Sequence, residues 1–371
     1  MRITRLFPLL VTVACSEYGY GSRPDGDDGT SSEDPADPAG PDEPGDDDTG
    51  EERDDPPDCE PDALPMIQRV PWVETGWDDE RHRAFDFDAD GRLIGLQDLA
   101  PWDDAAEIVR YTAFGDVEPL DLHASSSLWA LDVRTLADGR IAWPSSTSAV
   151  DVFDPQDGAV DRVHLTTDHY HPFSLEPEGG GTFLMLDGFA LDRVDPATDR
   201  TKRLREYLAP QDPLTGAPQA IALSRSEETL YVLFSDTTAP VPPVSIAAYP
   251  YDGDRLGEPA VLLPPTVIPG VSEWYLLLAT RRLAVDACDN MYILASDALW
   301  IVPSGGGQAA PVVAFPSALL EGSNKTLFWG HDAGYADPQT LYVTGYEDTP
   351  EARPVRYAIH LGVDGNHVLS R

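Results

Sequence analysis

The residues best equipped for chemistry in this chain fall into three groups. Asp86, Asp88 and Asp90, followed by Gly91, have the alternating spacing with which a calcium-binding loop begins. His169 and His171 in "TTDHYHPF" lie two apart, so on a strand they share one face and, with Asp168, offer the start of a transition-metal chelate. The third group is the three cysteines, Cys15, Cys59 and Cys288. A calcium loop opening at Asp86 needs an acidic ligand at its twelfth position, which is Gln97, and the ninth is Ile94. The stretch "FDFDADG" reads better as a strand entering a tight turn, with Asp86 and Asp88 on the face opposite Phe85 and Phe87. The two histidines lack an assignable set of further ligands, and polar loop chemistry is the simpler reading. Ser, His and Asp are abundant, yet no G-x-S-x-G elbow frames a nucleophile.

The elements that would position these groups are strands. Beyond residue 61 one unit recurs: an alternating apolar strand, a turn of Asp/Gly/Asn type, a second strand, then an outer hairpin. Its copies are "FDFDADGRLIGL", "LDVRTLADGRIAWP", "FSLEPEGGGTFLML", "IALSRSEETLYVLF", "LAVDACDNMYIL" and, more loosely, "GHDAGYADPQTLYVTG". The copies start at Phe85, Leu131, Phe173, Ile221 and Leu283, with a sixth near Trp329. A period of about 40–50 residues with four short strands per unit is that of propeller blades. The fold expected is all-β, a six-bladed propeller over residues 61–371. Residues 66–75 are apolar enough to supply a strand that closes the ring against the last blade.

The phrase "PQAIALSRSEETLYVLF" resembles the "PNGIALSPDGKTLYV" phrase of six-bladed propellers of the gluconolactonase and senescence-marker family. "LAVDACDNMYIL" with "LWIVPSGG" is similar to a blade that this family shares with NHL-repeat propellers. The resemblance implies one divalent metal at the channel mouth, held in part by the Asn of the P-N-G phrase and by a later Asp. Here those positions carry Gln219, followed by Ala220, and Arg281. An arginine repels a cation, so the family's metal site is not expected to persist. The alternative is a lactonase-like hydrolase with a rearranged metal site on His169, His171 and carboxylates, with His123 and His331 as further candidates by blade position. In such propellers the loop before each innermost strand lines one end of the channel. Arg83, Trp129, His171, Gln219 and Arg281 stand there, a set suited to a carboxylate, phosphate or sugar acid. The same arginines would equally serve as pairs for nearby Asp.

The chain begins with Arg2 and Arg5 and the apolar run "LFPLLVTVA" before Cys15, a leader too short to span a bilayer as a mature helix. "VTVAC" resembles the lipobox of bacterial lipoproteins, which implies lipid attachment at Cys15 and a membrane partner. Residues 16–60 hold 18 Asp/Glu against two Arg, with Pro, Gly and Ser between them, the composition of a disordered, solvated linker. With leader and linker subtracted from the formal charge of −40, residues 61–371 still carry −26. That charge argues against nucleic acid as a partner. Once lipid takes Cys15, Cys59 and Cys288 remain as a disulfide pair or as two free thiols. The sequence thus predicts an extracytoplasmic, lipid-anchored protein of the outer membrane or periplasm. It would serve as a binding or scaffold module, with no cofactor required, for a small anionic molecule or a protein at the channel mouth.

Overall fold

The computed structural model describes residues 65–70, 82–98, 106–111, 117–124, 132–146, 148–165, 174–186, 190–207, 216–236, 239, 241–271, 282–320, 326–330, 337–350 and 354–366. The expected leader (1–15) and acidic linker (16–60) lie outside these residues. Twenty-four strands form six four-stranded antiparallel sheets. β1 is Met66–Val70. Blade 1 holds β2 (His82–Phe87), β3 (Leu93–Asp98), β4 (Ala106–Tyr111) and β5 (Val117–Ala124). Blade 2 holds β6 (Arg134–Thr135), β7 (Ile141–Ser146), β8 (Ala149–Phe153) and β9 (Val160–His164). Blade 3 holds β10 (Ser174–Pro177), β11 (Phe183–Leu186), β12 (Ala190–Asp195) and β13 (Arg200–Glu206). Blade 4 holds β14 (Ala217–Leu223), β15 (Thr229–Ser235), β16 (Val244–Pro250) and β17 (Ala260–Thr266). Blade 5 holds β18 (Leu283–Val285), β19 (Met291–Leu294), β20 (Ala298–Val302) and β21 (Ala310–Ala314). Blade 6 holds β22 (Thr326–Trp329), β23 (Thr340–Tyr346) and β24 (Pro354–His360).

The innermost strands β2, β6, β10, β14, β18 and β22 neighbour one another in a closed circle, which makes the fold a six-bladed propeller. Each begins within four residues of the start read from the repeat. The fourth strand of blade 6 comes from the other end of the chain: β1 pairs with β24, from Met66 opposite His360 to Val70 opposite Arg356. The closing strand expected within residues 66–75 is therefore Met66–Val70. Among the described residues, a single 3-10 turn at Gly179–Gly181 is the one helical element, and no helix is long and apolar enough to cross a membrane.

The core is divided among the six seams between blades. Alternation along each strand sends successive side chains into the seams on either side. In blade 1, Ala84, Ile94 and Leu96 pack on Val133, Ile141 and Trp143 of blade 2. From the other face of the same strands, Phe85 and Phe87 meet Phe328 of blade 6. That last-to-first seam is aromatic: Phe87 lies 5.6 Å from Phe328, and Phe328 stacks on Tyr342 at 5.6 Å with the rings 17° apart. Such ring pairs add about 0.5–1.5 kcal/mol each to the burial they accompany.

In blades 1 to 5 the hairpin joining the two inner strands has the chemistry of a tight turn. In blade 1, Asp88 Oδ1 accepts the Asp90 and Arg92 backbone N–H groups at 3.0 and 2.8 Å, Oδ2 takes Arg110 Nε at 2.7 Å, and Gly91 adopts φ 72°. Asp88 is thus committed to the hairpin, and the calcium-loop reading of "FDFDADG" has no oxygen left there to build on. The equivalent blade 5 turn places Asp289 at φ 64°. Burial pushes the Asp289 carboxyl up, a hydrogen bond from Tyr231 opposes this, and the neighbouring Asp286 adds to it, with a net rise. A carboxyl raised on folding contributes stability at acid pH that is lost as the pH climbs through its folded value. Asp289→Asn, which also tolerates positive φ, is therefore expected to raise stability near neutral pH by about 0.5 kcal/mol, a modest figure because the side chain is partly exposed. The gain should vanish toward about pH 4. Urea titrations of both proteins across that range would detect it, and a gain equal at all pH values would refute the electrostatic cause. Cys288, on the same turn, is disulfide-bonded; Cys59 and Cys15 lie outside the described residues.

Candidate functional site

Six hairpin-closing residues give the blades a common reference: the backbone N–H of Asp88, Leu136, Glu178, Ser224, Asp286 and Gly330 each donates across its turn to the start of the second strand. Two residues earlier in each blade stand Asp86, Arg134, Glu176, Ala222, Ala284 and Phe328. All six line one cavity of about 50 Å³ on the propeller axis. The ring is half charged and half apolar. Blades 1 to 3 contribute acid, base, acid; blades 4 to 6 contribute Ala222, Ala284 and Phe328, flanked by Leu283, Val285 and Trp329.

The charged half is a set of stitches. Arg134 Nε is 3.4 Å from Asp86 Oδ2, and its Nη1 is 3.5 Å from Glu176 Oε2. Asp86 Oδ2 also accepts the backbone N–H of Thr135 at 2.9 Å, and Glu176 Oε1 that of Leu223 at 3.0 Å. Each of these carboxylates therefore reaches the innermost strand of the following blade. One step nearer the strand starts, buried Asp132 repeats the pattern by accepting Leu175 N–H at 2.8 Å. Burial pushes the Arg134 guanidinium down, but the charges of Glu176, Asp86 and Asp132 outweigh it and hold its pKa above the ordinary value. It stays a cation. Buried carboxylates that accept N–H bonds and face a guanidinium have their oxygens engaged, so they glue the blades together rather than await a metal. Among the described residues no three His, Cys, Asp or Glu come together as a metal site. On the blade 5 side of the axis, at the same level as Asp132, sits Arg282, 1% exposed.

The two ends of the channel differ. At the hairpin end, Asn366 lies in the cavity wall and its Nδ2 donates to Leu223 O at 2.5 Å. At the end where the innermost strands begin, the pairing of β2 with β3 jumps across Arg83, and that of β14 with β15 jumps across Gln219. Both are β-bulges, which re-aim a side chain out of the pleat and recur beside binding sites.

Of the residues singled out from the sequence, Gln219 is half-buried on β14, with Nε2 donating to Ala217 O at 3.3 Å. Arg83 lies in β2, and its side chain is outside the described residues. Trp129, His171, Arg281, His169 and His331 lie outside them altogether. Counted from the hairpin reference, Arg83, Gln219 and Arg281 are five residues upstream, whereas Trp129 and His171 are seven upstream. The repeat starts taken from letters are thus offset between blades relative to the hairpins. His123 falls on β5, the outermost strand of blade 1, three strands from the axis, which removes it as a partner for an axial histidine pair.

The Asp86–Arg134–Glu176 half ring escaped the sequence reading. Its signal was present: an ionisable residue two places before the turn residue in three consecutive blades, within "FDFDAD", "DVRTL" and "SLEPE".

The chain matches no protein-family model and no curated protein by sequence. Solved structures do resemble it. A gluconolactonase of Xanthomonas campestris superposes with a TM-score of 0.50 at 17% identity, covering 82% of this chain and 96% of its own. A streptogramin B lyase gives 0.50 at 10% identity, covering 80% and 98%. An auxiliary nutrient binding protein of Bacteroides thetaiotaomicron gives 0.49 at 10% identity, covering 76% and 69%. At these identities the likeness is one of fold.

Proposed function

We propose that this protein is an extracytoplasmic binding module: a propeller held to a membrane through lipid at Cys15 and an acidic spacer, which takes a small anionic ligand at the channel mouth. The observation that carries this reading is the pair of bulges at Arg83 and Gln219 on the innermost strands of blades 1 and 4, both at the same end of the axis. Arg83 and Arg281 would offer bidentate donors in an otherwise acidic protein, Gln219 an amide, Trp129 a stacking plane and His171 an imidazole. The acids deeper in the channel favour binding over metal-assisted hydrolysis, since their oxygens are taken by backbone N–H groups and by Arg134. The lipobox-like "VTVAC" and the linker's composition support the anchor and the extracytoplasmic setting, in the outer membrane or facing the periplasm.

Calorimetric titration of the lipid-free protein with a uronic acid, an aldonic acid and inorganic phosphate tests the reading. One of the three should bind, and Arg83→Ala should weaken that binding by about tenfold or more, as expected for loss of a charge-assisted hydrogen-bond pair. Absence of binding to all three would count against a small anion. Stoichiometric divalent metal after dialysis, with lactone hydrolysis lost on chelation, would replace this reading with the hydrolase. Labelling of the cells with radioactive palmitate, lost in Cys15→Ala, checks the anchor.

A further inference from the structure

The chain leaves β24 on the third strand of blade 6, at the hairpin end of the propeller, and then crosses that face toward the axis. Leu361 N–H donates to Gln339 O at 2.9 Å and Gly365 N–H to Pro338 O at 3.0 Å, both on the blade 6 hairpin. Ala287 N–H, on the blade 5 hairpin, donates to Asp364 O at 2.8 Å, and Asp286 and Gly365 form a bridge. Asn366 then reaches Leu223 O at the end of the innermost strand of blade 4. Six residues are thereby bound to three blades. Leu361 and Val363 are buried beneath them. At Gly365 an added Cβ would come within 2.4 Å of the Trp329 ring, so the backbone lies flat on an indole whose own N–H is fixed to Val285 O at 2.8 Å. The path ends with Asn366 in the wall of the axial cavity.

We propose that Leu361–Asn366 form a strap that seals the hairpin end of the channel and makes the axial cavity a dead-end pocket, entered only from the opposite mouth. The strap covers the apolar half of the axial ring, where, among the described residues, blades 4 to 6 show no carboxylate accepting an inner-strand N–H of the next blade as in blades 1 to 4. Its backbone bonds fasten those blades from outside, and the Asn366 side chain stops the hole they leave. A segment of this kind, held by a few hydrogen bonds, can open without the propeller unfolding. The channel floor is thus a separable part, and this holds whatever binds at the mouth.

The experiment is thiol labelling with a small charged methanethiosulfonate reagent, the native disulfide left oxidised. Ala222→Cys places a reporter in the cavity wall, and Ala142→Cys places a control in the buried seam between blades 2 and 3. In the otherwise intact chain position 222 should react at the rate set by entry from the opposite mouth, and position 142 slowly. Ending the chain after Val363 should accelerate labelling at position 222 at least tenfold and leave position 142 unchanged. Asn366→Gly, which keeps the backbone bonds and removes the stopper, should accelerate position 222 alone by a smaller factor, and it decides the matter if the shortened chain does not fold. Equal acceleration at both positions would overturn the proposal by making the segment a general stabiliser. So would unchanged labelling at 222.

Discussion

Deleting Met66–Val70 is expected to cost the propeller about 5 kcal/mol, enough to leave many domains largely unfolded. The estimate comes from the loss of a five-residue ladder, at about 1 kcal/mol for each hydrogen bond, together with the burial of Ile67 against the blade 5 to 6 core. It also strips the outer edge of β24, which then offers unpaired backbone to any other strand. Urea unfolding should show a midpoint far below that of the intact protein, and size-exclusion chromatography should show association. A synthetic peptide spanning residues 64–72 should restore the midpoint by pairing with β24 in trans. If the deletion unfolds at the same urea concentration as the parent, β1 is an ornament and the ring is closed by its seams.

Arg134→Met should destabilise by about 3–5 kcal/mol near neutral pH. The methionine keeps much of the volume, but Asp86 and Glu176 are left facing each other across the axis without their cation, and removing one partner of a buried ionic group costs far more than the group contributes. Combining Arg134→Met with Asp86→Asn and Glu176→Gln should recover most of the loss at neutral pH. Denaturant titrations of the parent, the single variant and the triple variant near neutral pH are sufficient. A loss below about 1 kcal/mol would mean that Arg134 acts by packing its stem and not by its charge.

Much of the architecture could be read from letters because propeller blades repeat a local grammar. Asp88, Gly139 and Asp289 mark the same turn in different blades, and Phe85, Leu93, Ile141 and Leu230 mark the strands around it. Even the closing strand was visible, as an apolar stretch with no place in the repeat. The axis was less legible. Asp86 was read correctly as opposite Phe85, yet nothing local says that its oxygen meets the Thr135 N–H of the next blade. That contact depends on how blades pack around a circle, a long-range property that an alternating pattern does not encode. The same holds for Asn366, whose partner Leu223 is 143 positions away. The bulges at Arg83 and Gln219 were legible only as polar residues at the start of an apolar strand, because an extra residue in a ladder shows only against its partner strand.

The pairing of β1 with β24 also sets a timetable. The first described strand of the propeller to be made is completed by nearly the last, so no partial chain can finish the ring while the rest is still being synthesised. Blades 1 to 5 can form their hairpins as they emerge, because each is contiguous in sequence. The aromatic seam of Phe85, Phe87 and Phe328 must stay open until blade 6 arrives. That delay leaves a mark on any copy cut short: without blade 6, Phe85 and Phe87 lose Phe328 and stand exposed at the open seam.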